Sequence, residues 1–121
     1  MIRKLLALFT RPATMTAAEA YQALTSDGAV LLDVREQSEW RAGHAPQARH
    51  LQLSQLQDHL GDLPTDRPII TVCRSGRRSA IAANTLTRHG YQATNLTGGM
   101  NAWANAGLPV ITNAGKPGQV I

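Results

Sequence analysis

Cys73 is the only cysteine in this 121-residue chain, and it stands in the segment Ile70-Thr71-Val72-Cys73-Arg74-Ser75-Gly76-Arg77-Arg78-Ser79-Ala80. A β-branched apolar run ends at the thiol, a short loop dense in Arg, Ser and Gly follows, and Ala80, Ile81, Ala83 and Leu86 then form a helical apolar stripe. The expected layout is strand, cysteine, tight loop, helix. In an open α/β sheet, ligands bind beyond the carboxyl ends of the strands, so a thiol placed there faces a cleft. A loop that bends straight into a helix can turn several amides toward its centre, and the helix N-terminus adds about half a positive charge. Those groups favour a thiolate, as do the charges of Arg74, Arg77 and Arg78; a free cysteine titrates near about 8.5 and such surroundings lower that value. Three arginines in five residues also argue against a buried, inert cysteine, because a dry site would leave them unpaired. The chemistry to expect is a nucleophilic sulfur above an anion-binding loop.

Such a loop needs a sheet to carry it. Ala29-Val30-Leu31-Leu32-Asp33-Val34 and Pro68-Ile69-Ile70-Thr71-Val72-Cys73 are apolar runs without period-two alternation, as suits strands covered on both faces. Thr16-Ala17-Ala18-Glu19 is a capping box that starts a helix through Tyr21 and Leu24, stopped at Ser26-Asp27-Gly28. Further along, the pattern predicts a short helix over 38–42, a strand over 49–51 and a helix over 54–60. Beyond the cysteine it predicts a helix over 79–89 closed by Gly90, a strand over 91–96, a Gly98-Gly99 turn and a helix over 100–106. Alternating strands and helices predict an α/β fold with a mostly parallel sheet of about five short strands and helices on both faces.

Length and composition are those of one globular domain, with 43% apolar and 17% charged residues. The partition read from the sequence is an arm over 1–15, a domain over 16–110 and a tail over 111–121 rich in Gly, Asn, Lys and Pro. A lone cysteine excludes an internal disulfide, a CxxC redox pair and a cysteine-based zinc cage, and four scattered histidines lack ligand spacing, so neither metal nor cofactor is expected. Twelve basic against eight acidic residues give a net charge of +4, which favours anionic partners. With only 4% aromatic residues and no recognised motif, that charge does not point to nucleic acid. Met1 to Thr10 begin with Arg3 and Lys4 and continue into a short apolar run that mimics an export signal but is too short for one, so a cytoplasmic protein without a firm membrane anchor is expected.

Four segments, in order, resemble one family. Cys73-Arg74-Ser75-Gly76-Arg77-Arg78, followed by Ser79, resembles the six-residue active-site loop of rhodanese-type sulfurtransferases. Leu31-Leu32-Asp33-Val34-Arg35-Glu36 with Glu39-Trp40 is similar to that family's strand-end motif. Gly43-His44-Ala45-Pro46 with Ala48-Arg49-His50 is similar to its Gly-His-Ile-Pro-Gly-Ala segment, with Ala45 and Gln47 as departures. Gly98-Gly99-Met100-Asn101-Ala102-Trp103, continuing to Gly107-Leu108-Pro109, resembles its closing motif. The resemblance covers residues 16–107 and implies a Cys73 thiolate that attacks the outer sulfur of thiosulfate or a similar donor, becomes a persulfide, and yields that sulfur to a thiol or cyanide acceptor, which can be a protein. It also implies Arg74 as the first choice for holding the anionic donor, Arg78 as the second and Arg77 as a solvent-facing cation, with Ser75, Gly76 and Ser79 lining the loop.

The other notable residues read as support. Asp33 and Arg35, two apart at a strand end, suit an ion pair; His44 suits a turn, and Trp40 and Trp103 suit core or rim positions. Two rival functions remain. A phosphatase or arsenate reductase of the same fold needs a loop one residue longer, ending in an arginine six positions after the cysteine, where this chain has Ser79. A persulfide carrier without small-molecule turnover would use the same residues. The expected assembly is a monomer or a weak homodimer.

Overall fold

The structure, a computed structural model, describes residues 12–121. The basic and apolar arm read over residues 1–10 lies outside them. The elements in chain order are β1 (Thr14–Met15), α1 (Ala17–Ser26), β2 (Val30–Asp33), α2 (Gln37–Ala42) and β3 (Ala48–His50). Two 3-10 segments follow (Leu53–Gln55 and Gln57–Asp62), then β4 (Ile69–Val72), α3 (Arg77–Arg88), β5 (Ala93–Leu96) and α4 (Gly99–Asn105). The five strands form one wholly parallel sheet in the order β1-β5-β4-β2-β3.

β2 and β4 pair with each other inside that order, and every residue of both is buried. This is why their sequences are apolar throughout instead of alternating. Side chains still alternate between faces. Val30, Leu32, Val34, Ile69 and Cys73 pack with Ala82, Ala83 and Leu86 of α3, while Leu31, Ile70 and Val72 pack with Ala17 and Ala20 of α1 and Met100 and Trp103 of α4. Each fully buried Leu or Ile of these layers contributes about 1.5–3 kcal/mol.

α1 starts as its capping box requires: the Thr16 hydroxyl accepts from the Glu19 amide at 3.1 Å, and the Glu19 carboxylate accepts from the Thr16 amide at 2.9 Å. Three segments depart from the pattern. The helix expected over 54–60 forms as the two 3-10 segments, with Leu56 bonding back to Leu53 and Leu63 to Leu60, and with non-helical angles at His59 inside the second segment. An i to i+3 ladder eclipses leucines three apart, which sets Leu53 and Leu56, then Leu60 and Leu63, against the α3 layer. α3 begins at Arg77, two residues early, because Gly76 in the left-handed region (φ 108°) turns the chain directly into the helix.

The third departure is at the chain ends. Thr14 and Met15, assigned to the arm, make the edge strand β1 against Asn95 and Leu96. Residues 111–121, read as a tail with no visible role, lie docked along the loop after α2. Ile111 exchanges backbone hydrogen bonds with His44, the Gln119 amide donates to the Ala42 carbonyl at 2.8 Å, and Val120 packs on the α1–α4 layer. The approach is so close that a Cβ on Gly43 would lie 2.6 Å from backbone atoms of Gln119, and one on Gly118 would lie 2.8 Å from Gly43 Cα. No helix among the described residues is long and apolar enough to cross a membrane.

Candidate active site around Cys73

β4 delivers Cys73 to the carboxyl edge of the sheet, and the three residues after it, Arg74 to Gly76, turn the chain back into α3. α4 then holds the loop from above. The Met100 amide donates to the Cys73 carbonyl at 2.7 Å and the Asn101 amide to the Arg74 carbonyl at 3.1 Å. A Cβ on Gly99 would collide with both carbonyls, and Gly98 and Gly99 both lie at positive φ (75° and 58°). Close backbone approach to the cysteine loop therefore requires glycine at 99, while Gly98 is set by its positive φ and by a Cβ clash with Ala102 of α4.

The cysteine is not on an open cleft wall as its arginines suggested. It is 1% exposed, with its sulfur at the floor of the loop. The arginines resolve the conflict by leaving: Arg74 and Arg77 are exposed to solvent, and Arg78 turns sideways to Glu39. At the sulfur, the Gly76 amide donates to Sγ at 3.1 Å and the Ser79 hydroxyl lies 3.3 Å away. Burial pushes the thiol pKa up, but the Ser79 hydroxyl and the amides of Ser79, Gly76 and Ser75 together outweigh it, so the thiol lies below its ordinary value. The hydrogen bonds at Sγ thus favour the thiolate form of a cysteine that is shielded from bulk solvent.

Ser79 is itself fixed. Its hydroxyl lies 2.6 Å from Asn95 Oδ1, its carbonyl accepts from the Thr71 hydroxyl at 2.8 Å, and Asn95 Nδ2 donates to the Gly76 carbonyl at 2.9 Å. At the rim, Arg78 and Glu39 form a two-pronged ion pair, Nη1 to Oε1 at 2.7 Å and Nη2 to Oε2 at 2.9 Å. The Arg78 guanidinium, opposed by partial burial and helped by the Glu36 amide, holds the Glu39 carboxyl below its ordinary value of 4.5; Glu39 in turn raises Arg78. Arg74 and Arg77 make no ion pair among the described residues.

Asp33 and Arg35 form a fully buried pair beneath the site. Nε and Nη2 of Arg35 bond both carboxylate oxygens, at 2.7–3.1 Å, and Nη2 also donates to the Gly43 carbonyl at 2.8 Å. Asp33 pairs in register with Val72, one residue before the cysteine. His44 and His50 each stack on Trp40, with ring centroids 3.6 Å and 4.8 Å from it, and each donates a ring N–H to a backbone carbonyl, of Trp40 and Arg35 respectively. Among the described residues no three His, Cys, Asp or Glu side chains gather where they could hold a metal.

The structure therefore brings Cys73, Ser75, Gly76 and Ser79 together at the sulfur, sets Arg74 and Arg77 outside it, diverts Arg78 to Glu39, and places Asp33 and Arg35 in the supporting layer. Two participants escaped sequence reasoning. Glu39 carried a signal, since its spacing from Glu36 and its carboxylate suit a helix start, but nothing local ties it to Arg78. Asn95 carried none, being a polar residue beside Thr94 in a four-residue strand, with nothing local that points to Ser79.

The comparisons with known proteins agree with this architecture. The family model of the rhodanese-like domain matches residues 16–106. A sulfurtransferase of Allochromatium vinosum is 35% identical over 91 residues, covering 74% of this chain and 85% of that protein. Among solved structures, a rhodanese-related protein of Thermoplasma volcanium superposes with a TM-score of 0.77 at 28% identity, over 82% of this chain and 97% of that one. A thiosulfate sulfurtransferase of Pseudomonas aeruginosa gives 0.78 at 26% identity over 88% of this chain, which spans 20% of that longer protein. With its parallel sheet, its six-residue cysteine loop and these likenesses, the chain belongs to the rhodanese-like domain family.

Proposed function

We propose that the chain is a sulfurtransferase that moves sulfane sulfur from thiosulfate, or a donor of the same chemistry, to a thiol or cyanide acceptor through a persulfide on Cys73. The observation that carries this reading is the Cys73 sulfur, lowered in pKa and held by the Gly76 amide and the Ser79 hydroxyl. The thiolate attacks the outer sulfur of the donor, a new S–S bond forms, and the donor's own S–S bond breaks with its electron pair leaving on sulfite. An acceptor nucleophile then attacks the outer sulfur of the persulfide, and the S–S electron pair returns to Cys73 as thiolate.

Burial fits this division of labour. Cys73 Sγ is shielded, but a persulfide carries the transferable sulfur about 2 Å further out, one S–S bond length. Arg74, an exposed cation next to the nucleophile in sequence, holds the sulfonate-like end of the donor in this reading. Arg78, already paired with Glu39, fixes the end of the loop instead, and Arg77 adds field without contact.

The test is incubation of the protein with thiosulfate, intact-mass measurement, then cyanide and detection of thiocyanate, with Cys73→Ser and Arg74→Ala in parallel. The expected result is a gain of one sulfur atom on wild type, released by cyanide, and absent from Cys73→Ser. Arg74→Ala is expected to lower kcat/KM by about tenfold, the weight of one charge-assisted hydrogen bond. A mass gain without turnover would identify a persulfide carrier. No mass gain, with hydrolysis of an aryl phosphate, would overturn the sulfur chemistry.

A further inference from the structure

Ser79 has one hydroxyl proton and two acceptors within reach, Asn95 Oδ1 at 2.6 Å and Cys73 Sγ at 3.3 Å. The orientation of Asn95 is fixed from its other end, because Nδ2 donates to the Gly76 carbonyl at 2.9 Å. Its oxygen must therefore face Ser79. Both side-chain bonds of this strand residue are spent on the cysteine loop. Ser79 is 0%, Cys73 1% and Asn95 6% exposed, so a hydrogen bond lost inside the group is not made good by bulk water.

We infer that Asn95 is a positioning residue that competes with Cys73 for the Ser79 proton and so sets how readily the thiolate forms. The inference rests on the proposed reading that Cys73 reacts as a thiolate. In the thiol state the protons run in one direction: S–H toward Ser79 Oγ, and the hydroxyl toward Asn95 Oδ1. When the thiol proton leaves to solvent, the hydroxyl turns about its Cβ–Oγ bond and donates to the sulfur. Asn95 Oδ1 then loses the one donor it has among the described residues. Thiolate formation therefore gains a hydrogen bond at sulfur and gives one up at Asn95. Once Cys73 carries a persulfide, the negative charge sits on the outer sulfur and the hydroxyl returns to Asn95. The Ser79 proton follows the charge on Sγ through the catalytic cycle, and Asn95 is its resting acceptor.

Asn95 also tethers Gly76, whose amide bonds the sulfur, so its removal has two effects of opposite sign on the thiol. Freeing the Ser79 proton lowers the thiol pKa, and loosening Gly76 raises it. Only the first needs Ser79. The experiment measures iodoacetamide alkylation of Cys73 against pH by intact mass for wild type, Asn95→Leu, Ser79→Ala and the double variant, with Asn95→Ala in place of Leu should the larger side chain not fold. Below the wild-type midpoint, the Asn95 substitution is expected to speed alkylation by about two- to tenfold more when Ser79 is present than in the Ser79→Ala background, the weight of one hydrogen bond. Equal shifts in the two backgrounds would reduce Asn95 to a tether and overturn the inference. Alkylation needs no sulfur donor, so a protein that shows this coupling yet gains no sulfur from thiosulfate would sink the proposed reaction and leave the proton competition standing.

Discussion

Replacing Asp33 by Ala should remove a large part of the protein's stability, although the substitution deletes only one small side chain. Arg35 is 0% exposed, and three of its four side-chain hydrogen bonds go to the Asp33 carboxylate, at 2.7, 2.9 and 3.1 Å. What remains is the bond to the Gly43 carbonyl, since Nη1 has no partner among the described residues. The variant would hold a buried cation with no counter-charge. Breaking such a pair on one side costs about 3–5 kcal/mol, against a total stability of about 5–15 kcal/mol. At this chain length each kcal/mol moves Tm by roughly 3–5 °C, which places the expected fall at about 10–25 °C. Urea and thermal unfolding followed by circular dichroism at neutral pH give both numbers. The companion variant Asp33→Ala/Arg35→Met removes both charges and should recover most of the loss. A loss under about 1 kcal/mol for the single variant, the range of an exposed pair, would refute the buried-charge reasoning, as would a double variant no more stable than the single one.

Two further outcomes follow from the rim and the chain end. Glu39→Gln should cost about 1 kcal/mol at neutral pH, because the pair with Arg78 is two-pronged but partly solvated. Since Glu39 titrates lower in the folded than in the unfolded chain, its contribution is complete above its ordinary value of 4.5 and disappears as the pH falls through the lower folded value. Urea midpoints of wild type and variant should therefore converge in acid, and a constant gap would show that charge is not the cause. Gly118→Val forces a branched side chain against Gly43 Cα and the Ala42 carbonyl, backbone atoms that cannot rotate away. Limited proteolysis is then expected to cleave within residues 112–118 of the variant faster than in wild type, with a stability loss of about 1–3 kcal/mol; equal cleavage of the two would mean that the docked segment contributes nothing.

The sequence by itself determined what depends on neighbours a few positions apart. The Thr16–Glu19 capping box is a local exchange of two hydrogen bonds, and the apolar runs at β2 and β4 are long enough to demand burial on both faces wherever they lie. The run from Val72 to Ser79 likewise contains its own loop and helix start, which is why Cys73 stands out from sequence alone. Only the tertiary structure decided what depends on residues far apart. Glu39 takes Arg78 across 39 positions and Asn95 takes Ser79 across 16, so neither pairing leaves a spacing to read. Cys73 could be buried because its arginines found solvent or a partner outside the loop, an option that local charge density does not reveal. Residues 111–121 carry no apolar period because much of what binds them is backbone, with Gly43 and Gly118 in near contact and the Gln119 amide on the Ala42 carbonyl. Backbone groups are the same in every residue, so an interface built from them is invisible until the fold brings its two sides together.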